Sequence, residues 1–143
     1  MTSQDRRGAA YHEAGHAVVA SALGLSVGQI NIGLDGDDAA GNADIECTKG
    51  LLLTERLAVC LAGVNAQKMF GAPTHSHSGG GDHAKVIKLV DGLDDDTSSA
   101  IRAAGHQRAW DLLQIHRNKV VSLAEYLILY DTIDGDTVLQ MLA

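Results

Sequence analysis

Cysteine, proline and aromatic residues are scarce in this sequence of 143 residues, which has two cysteines, one proline, three tyrosines, one tryptophan and one phenylalanine. Cys47 and Cys60 form no CxxC pair, and a chain of this length buries a hydrophobic core without disulfide staples. The sequence therefore predicts free thiols in a reducing compartment. Because the apolar residues are mostly Leu, Val, Ile and Ala, it also predicts tightly packed helices rather than a β-sandwich.

Runs of positively charged residues and long apolar runs are absent as well. The formal net charge is −7 and the isoelectric point is near 5.3, with no run of Lys or Arg to follow a phosphate backbone, so we expect no nucleic-acid partner. The polar N-terminal stretch lacks the apolar centre of a signal peptide, and no uncharged apolar run reaches about 18 residues. We therefore expect a cytoplasmic protein with no membrane segment in this chain.

Hydrophobic periodicity predicts a fold that is mainly α (α+β), with five or six helices and a small β-hairpin after the first helix, in one domain over residues 1–143. The first helix is predicted at residues 3–23, with Ser3 as its N-cap. The two hairpin strands are predicted within residues 26–34 and 43–48. Further helices are predicted at residues 51–71, 82–90, 97–116, 118–131 and 134–143, the last capped by Asp134 or Asp136. Residues 72–82, with three consecutive glycines, predict a loop.

The first predicted helix carries the stretch YHEAGHAVVA, in which His12 and His16 are separated by one helical turn and Glu13 follows His12. In a helix the two histidines lie about 40° apart, so both imidazoles point to one place and can bind a single zinc ion. Glu13 then lies beside the ion, where a general base for an attacking water is needed. Gly15 inside this helix indicates close packing, with or without a metal.

A hydrolytic zinc ion keeps three protein ligands, so the chain must supply one more. No histidine follows His16 at the metzincin spacing. Glu55 offers a thermolysin-like third ligand, although its place also suits the exposed first turn of a helix. His75 and His77 lie in the glycine-rich segment. Asp82 lies where the glycines lead into the next helix, and that position equally suits an ordinary N-cap. Residue spacing alone leaves these alternatives open.

The chain resembles the peptidase domain of the FtsH-type ATP-dependent zinc metalloproteases. AAYHEAGHAVVA is similar to that family's zinc helix, TERLAVCLAGVNAQKMFGA to its second helix, HSHSGGGDHAKVIKLV to the loop before a metal-binding aspartate, and the last 35 residues to its closing helices. The resemblance implies that His12, His16 and Asp82 are the ligands of a Zn²⁺ cofactor and that Glu13 is the general base. It also implies a mostly helical domain with a short strand beside the cleft, on which an extended substrate peptide can lie.

The chain departs from that family in several places. Gln67 and Lys68 replace paired glutamates of the second helix, Ser78 and Gly79 replace a Gly-Ala pair, and His83 replaces an apolar residue. There is no GxxxxGK[ST] phosphate loop, so this chain cannot itself unfold a substrate with ATP.

Two functions follow as hypotheses. The first is a zinc-dependent endopeptidase that hydrolyses unfolded proteins or peptides, with a separate ATPase as a possible partner and with oligomers possible. The alternative is a catalytically weak or inactive zinc-binding module that captures peptides or acts as an adaptor.

Overall fold

The computed structural model describes residues 2–33, 41–74 and 80–143. Within these ranges the chain forms six α-helices and a small antiparallel sheet of three strands. The helices are α1 Ser3–Ala22, α2 Leu53–Met69, α3 Gly80–Leu89, α4 Asp95–Ile115, α5 Arg117–Tyr130 and α6 Gly135–Leu142, and the strands are β1 Val27–Ile32, β2 Gly41–Ile45 and β3 Thr132–Ile133. The predicted class, mainly α (α+β), is confirmed.

The sheet contains the predicted hairpin and one strand that was not predicted. β1 pairs with β2 on one side and with β3 on the other, both antiparallel, and Ile30 faces Ile133 across the second pairing. β3 is only two residues long, too short to produce an alternating pattern in the sequence. Both isoleucines are fully buried, so this pairing joins the C-terminal part of the chain to the centre of the sheet.

Several helix starts differ from the predicted ones by a few residues. Thr2, not Ser3, caps α1, because its hydroxyl accepts from the Asp5 amide while the Asp5 carboxylate accepts from the Thr2 amide. α3 begins at Gly80, so two of the consecutive glycines belong to the helix rather than to the predicted loop. For α6, Asp134 is the cap among the two candidates.

α1 is the central element of the core, and it packs against α2, α5 and the first two strands. The backbone of α1 lies close to α2 at Gly15. A Cβ added at Gly15 would lie only 2.6 Å from the Ala66 Cβ and 2.7 Å from the Ala62 carbonyl oxygen. Gly15 therefore lets the two helix backbones approach each other, as its position in a helix suggests. α1 also packs against α5, where Leu123 and Leu127 are fully buried.

The start of α1 is also tied to the end of α5 by polar contacts. Arg6 donates to the Ile128 carbonyl and pairs with the Asp131 carboxylate, at 2.5 Å in each case. Asp131 ends α5 in a left-handed conformation, with φ of 66°. No helix in the described parts of the chain is both long and apolar enough to cross a membrane.

Candidate metal centre

His12, Glu13 and His16 lie on the face of α1 that meets α2 and the sheet. Glu13 and His16 are 6% and 7% exposed, and the His12 side chain is 13% exposed. α3, which packs on α2, brings Asp82, whose side chain is 21% exposed, against both histidines. The structure therefore brings together the four residues that the sequence and the resemblance singled out.

Three ligand atoms of metal-binding type converge between α1 and α3. The Asp82 Oδ2 atom lies 2.9 Å from the His12 Nε2 and 2.9 Å from the His16 Nε2, and the two ring nitrogens are 3.1 Å apart. Zinc bonds of about 2.0 to 2.1 Å in a tetrahedral site place ligand atoms about 3.3 Å apart. The three atoms thus form a triangle only a few tenths of an ångström smaller than one face of a zinc tetrahedron.

The outer ring nitrogens of both histidines already have acceptors as partners. His16 Nδ1 donates to the Val59 carbonyl at 2.7 Å, and His12 Nδ1 donates to the Gln67 Oε1 at 2.8 Å. A neutral imidazole carries one N–H, so in each ring the Nε2 is left with a lone pair. Two nitrogen lone pairs and a carboxylate oxygen therefore face one another, and they need a proton or a metal cation between them.

The pKa values of the group follow this arrangement. Burial alone would lower the pKa of His16, but the hydrogen bond and charge of Asp82 outweigh it, and the pKa lies above its ordinary value. Burial alone would raise the pKa of Asp82, but its hydrogen bonds with the two histidines hold that pKa well below the usual range. Without a metal, a proton shared between Asp82 and a histidine Nε2 is thus favoured where the three ligand atoms meet.

Gly63 on α2 makes the room in which the His12 ring lies. A Cβ added at Gly63 would lie 2.5 Å from Cε1, 2.6 Å from Nε2 and 2.7 Å from Nδ1 of that ring. Any larger residue at this position would push the ring away from α2, because real Cβ atoms do not come so close to other atoms. Gly63 is therefore part of the site although it offers no ligand atom.

Glu13 lies next to the three ligand atoms without joining them. Burial raises the pKa of its carboxyl, against the opposing charges of His16 and His12. Among the described residues the carboxylate has electrostatic partners and no hydrogen-bond partner. Its Cγ packs against the start of β2, since a Cβ added at Gly41 would lie 2.9 Å from it. A buried carboxylate of this kind is available to accept a proton from a small molecule at the site.

Asp82 is not the N-cap of its helix, because α3 begins two residues earlier and Asp82 lies in the first turn. Its side chain is directed to the histidines of α1. Gly81 plays no part in this close approach, since a Cβ added there would meet no atom within 4 Å. Val86, one turn after Asp82, is buried, so this side of α3 faces the interior of the protein.

Among the described candidates, Glu55 does not join the group. Glu55 lies in the first turn of α2 and its nearest basic partner is Arg108 on α4, at 3.7 Å. His75, His77, Ser78 and Gly79 lie outside the described residues. His83 and Lys68 are exposed.

The sequence analysis did not identify three parts of the site. It did not name Gly63 or the Val59 carbonyl, and it named Gln67 only as a departure from a family pattern. Gln67 stands out in the sequence only as a departure from a family pattern, yet it is 1% exposed and contacts His12 directly. The apolar GVNAQ stretch around it offers one signal, because a polar residue in a buried helix position needs a partner. The Val59 carbonyl has no sequence signal, since every residue has one.

The edge of the sheet closest to Glu13 is formed by β2. Within the described parts of the chain β2 pairs only with β1, so its other edge has unpaired backbone groups. Gly41 places the first residue of this strand against the Glu13 side chain.

No family model matches the chain, and no curated protein matches it. The case for a metal site therefore comes from the positions of the site residues and not from a known relative.

Proposed function

We propose that this protein is a zinc-dependent endopeptidase of the FtsH peptidase type, with His12, His16 and Asp82 as zinc ligands. The observation that carries the proposal is the convergence of His12 Nε2, His16 Nε2 and Asp82 Oδ2 within 3.1 Å of one another while both Nδ1 atoms are engaged as donors. The residues fit a zinc ion in number, atom type and spacing. A purely structural zinc site would have four protein ligands, whereas this one has three among the described residues.

A zinc ion held by this group would lower the pKa of a water molecule and polarise the carbonyl of a peptide bond. Glu13 supplies the proton transfers. Its carboxylate takes a proton from the attacking water while the water oxygen forms a bond to the carbonyl carbon. It then gives that proton to the amine nitrogen as the carbon–nitrogen bond breaks. The raised pKa of Glu13 suits this role, because a buried carboxylate holds the proton more readily than an exposed one.

The β2 edge supports a peptide as the substrate. An extended chain that adds to this edge forms backbone hydrogen bonds that do not depend on its sequence, and its peptide bonds pass near Glu13. Such binding requires an unfolded segment. We therefore propose unfolded proteins or peptides as substrates, and a separate ATPase as the partner that would unfold larger ones.

The experiment that tests this function compares Glu13→Gln with the wild type after purification with zinc. Glu13→Gln should retain zinc, because Glu13 is not a ligand, and should cleave an unfolded casein-like substrate at least about 100-fold more slowly. Glu55→Gln is the matched control, since Glu55 pairs with Arg108 away from the site, and it should retain both zinc and cleavage. Undiminished cleavage by Glu13→Gln would remove Glu13 from the mechanism.

The alternative is that the same site holds zinc in a module that captures peptides without cleaving them. Tight zinc binding by the wild type, with peptide binding and no turnover at any pH between 5 and 9, would favour this alternative. A wild-type protein that binds no zinc would contradict both proposals.

A further inference from the structure

Gln67 connects the metal-binding face of α1 to the segment that follows α2. Its Oε1 accepts from His12 Nδ1 at 2.8 Å, and its Nε2 donates to the Pro73 carbonyl at 3.0 Å. The side chain is 1% exposed, so water cannot replace either partner without a rearrangement. A continuous series of polar contacts therefore leads from Asp82 through His12 and Gln67 to Pro73.

The partners determine which way the Gln67 amide points. The Pro73 carbonyl is only an acceptor, so the NH₂ end of the amide must face it. The Oε1 end then faces His12, and the His12 Nδ1 must carry a hydrogen atom. A flipped amide would place two oxygens against each other at Pro73.

The Pro73 carbonyl lies against the backbone of α1 at Gly8. A Cβ added at Gly8 would collide with the Pro73 oxygen and lie 3.5 Å from the Gln67 Nε2. Gly8 precedes His12 by one helical turn, and the atoms nearest to a Cβ added there belong to Pro73 and Gln67. The carbonyl thus lies between the backbone of α1 and the Gln67 amide, and its position controls the amide.

We infer that Gln67 is a positioning residue of the metal site, which keeps the hydrogen atom of His12 on Nδ1 and the Nε2 lone pair directed at Asp82 and His16. The inference rests on the proposed zinc function. Both ends of the amide are needed, because a residue that only accepts leaves the Pro73 carbonyl unpaired and a residue that only donates clashes with the His12 N–H. The loss of such a partner of a metal ligand typically weakens metal binding 10- to 100-fold.

Two variants test the inference, with zinc affinity measured by competition against a chromogenic chelator. Gln67→Met keeps the length of the side chain and removes both hydrogen bonds, and it should bind zinc about 10- to 100-fold more weakly. Gly8→Ala displaces the Pro73 carbonyl without touching a ligand, and it should also bind zinc more weakly than the wild type. Asn65→Leu is the matched control, because Asn65 is another buried amide of α2 that contacts a histidine, His106, outside the metal group.

A spectroscopic measurement separates positioning from a general structural role. In ¹⁵N-labelled metal-free wild type at pH 8, His12 Nδ1 should carry its proton, and this signal should be lost or become mixed with an Nε2–H form in Gln67→Met. Asn65→Leu should leave it unchanged. If Gln67→Met does not fold, the wild-type spectrum and the zinc affinity of Gly8→Ala still test the inference.

The outcomes distinguish this inference from the proposed function. A wild type that binds zinc and cleaves peptides, with unchanged zinc affinity in Gln67→Met and in Gly8→Ala, would overturn the role of Gln67 and leave the function standing. A wild-type His12 protonated on Nε2 alone at pH 8 would also overturn it. A wild type without zinc affinity that nevertheless shows the Nδ1–H signal, lost in Gln67→Met, would support the positioning and reject the zinc function.

Discussion

Replacing Gly63 by alanine should separate metal binding from folding. The added methyl group would lie 2.5 to 2.7 Å from three atoms of the His12 ring. Ordinary contacts begin at about 3.5 Å, so the ring must move away from α2 by about 1 Å. Gln67 lies on α2, and the hydrogen bond from His12 Nδ1 to its Oε1, now 2.8 Å, would therefore lengthen beyond the usual limit of about 3.2 Å. The His12 Nε2 would move off the ligand position together with the ring.

The expected loss is a zinc affinity at least about 10- to 100-fold weaker, which corresponds to about 1.4 to 2.8 kcal/mol. The fold should be affected much less, because alanine is about 0.8 to 1.0 kcal/mol more favourable than glycine within a helix and the ring is the free end of a side chain. We therefore expect a melting temperature close to that of the wild type without zinc, and a smaller rise when zinc is added.

The assay pairs chelator competition with thermal melts, each with and without zinc. Gly81→Ala is the matched control, since it adds the same methyl group inside α3, beside Asp82, where it meets no atom within 4 Å. That variant should retain wild-type zinc affinity. If Gly63→Ala also binds zinc as tightly as the wild type, the His12 ring is not needed where it lies, and the assignment of the ligand group is refuted.

Three further predictions concern pH, metal removal and the core. Because the pKa of His16 lies above 6.5 in the folded metal-free protein, the charged ring favours folding below pH 6.5, and this contribution is lost as the pH rises through the raised pKa. The pKa of Asp82 lies below 3.8, so the stabilisation that its carboxylate gives the folded state is present above pH 3.8 and is lost only in stronger acid. In urea titrations, the free energy of unfolding of Asp82→Asn should show neither of these two pH dependences. Zinc affinity should instead rise with pH, because protons compete for the two Nε2 atoms, and a chelator should lower the melting temperature of the zinc-loaded wild type. Leu113→Ala should lower the free energy of unfolding by about 2 to 5 kcal/mol, whereas Leu129→Ala, at a side chain 72% exposed, should change it by under about 0.5 kcal/mol in urea denaturation.

The long helices and the pairing of His12 with His16 could be predicted because both depend on local spacing. Two residues one turn apart on a helix share a face whatever surrounds them. The close packing expected from Gly15 is confirmed for the same reason, since a glycine within a buried helix needs a neighbour that uses the space.

Residue spacing alone was not enough to predict Asp82 as the third ligand. Spacing left it as one candidate among several, and only the family resemblance singled it out. It contacts His12 across 70 positions of the chain, and no local pattern carries that information. The same holds for Gln67, which meets His12 across 55 positions, and for β3, whose pairing with β1 depends on how α5 ends.

The packing of α3 also has a consequence for how the ion would enter and leave. The two histidines are fixed to α1, which is held by α2, α5 and the sheet, whereas α3 packs mainly on α2 and supplies a single ligand. Movement of α3 therefore costs less than movement of α1. We expect metal exchange to begin with the departure of Asp82, so that a change at Val86, the buried apolar residue of α3, alters the rate of exchange more than the geometry of the bound site.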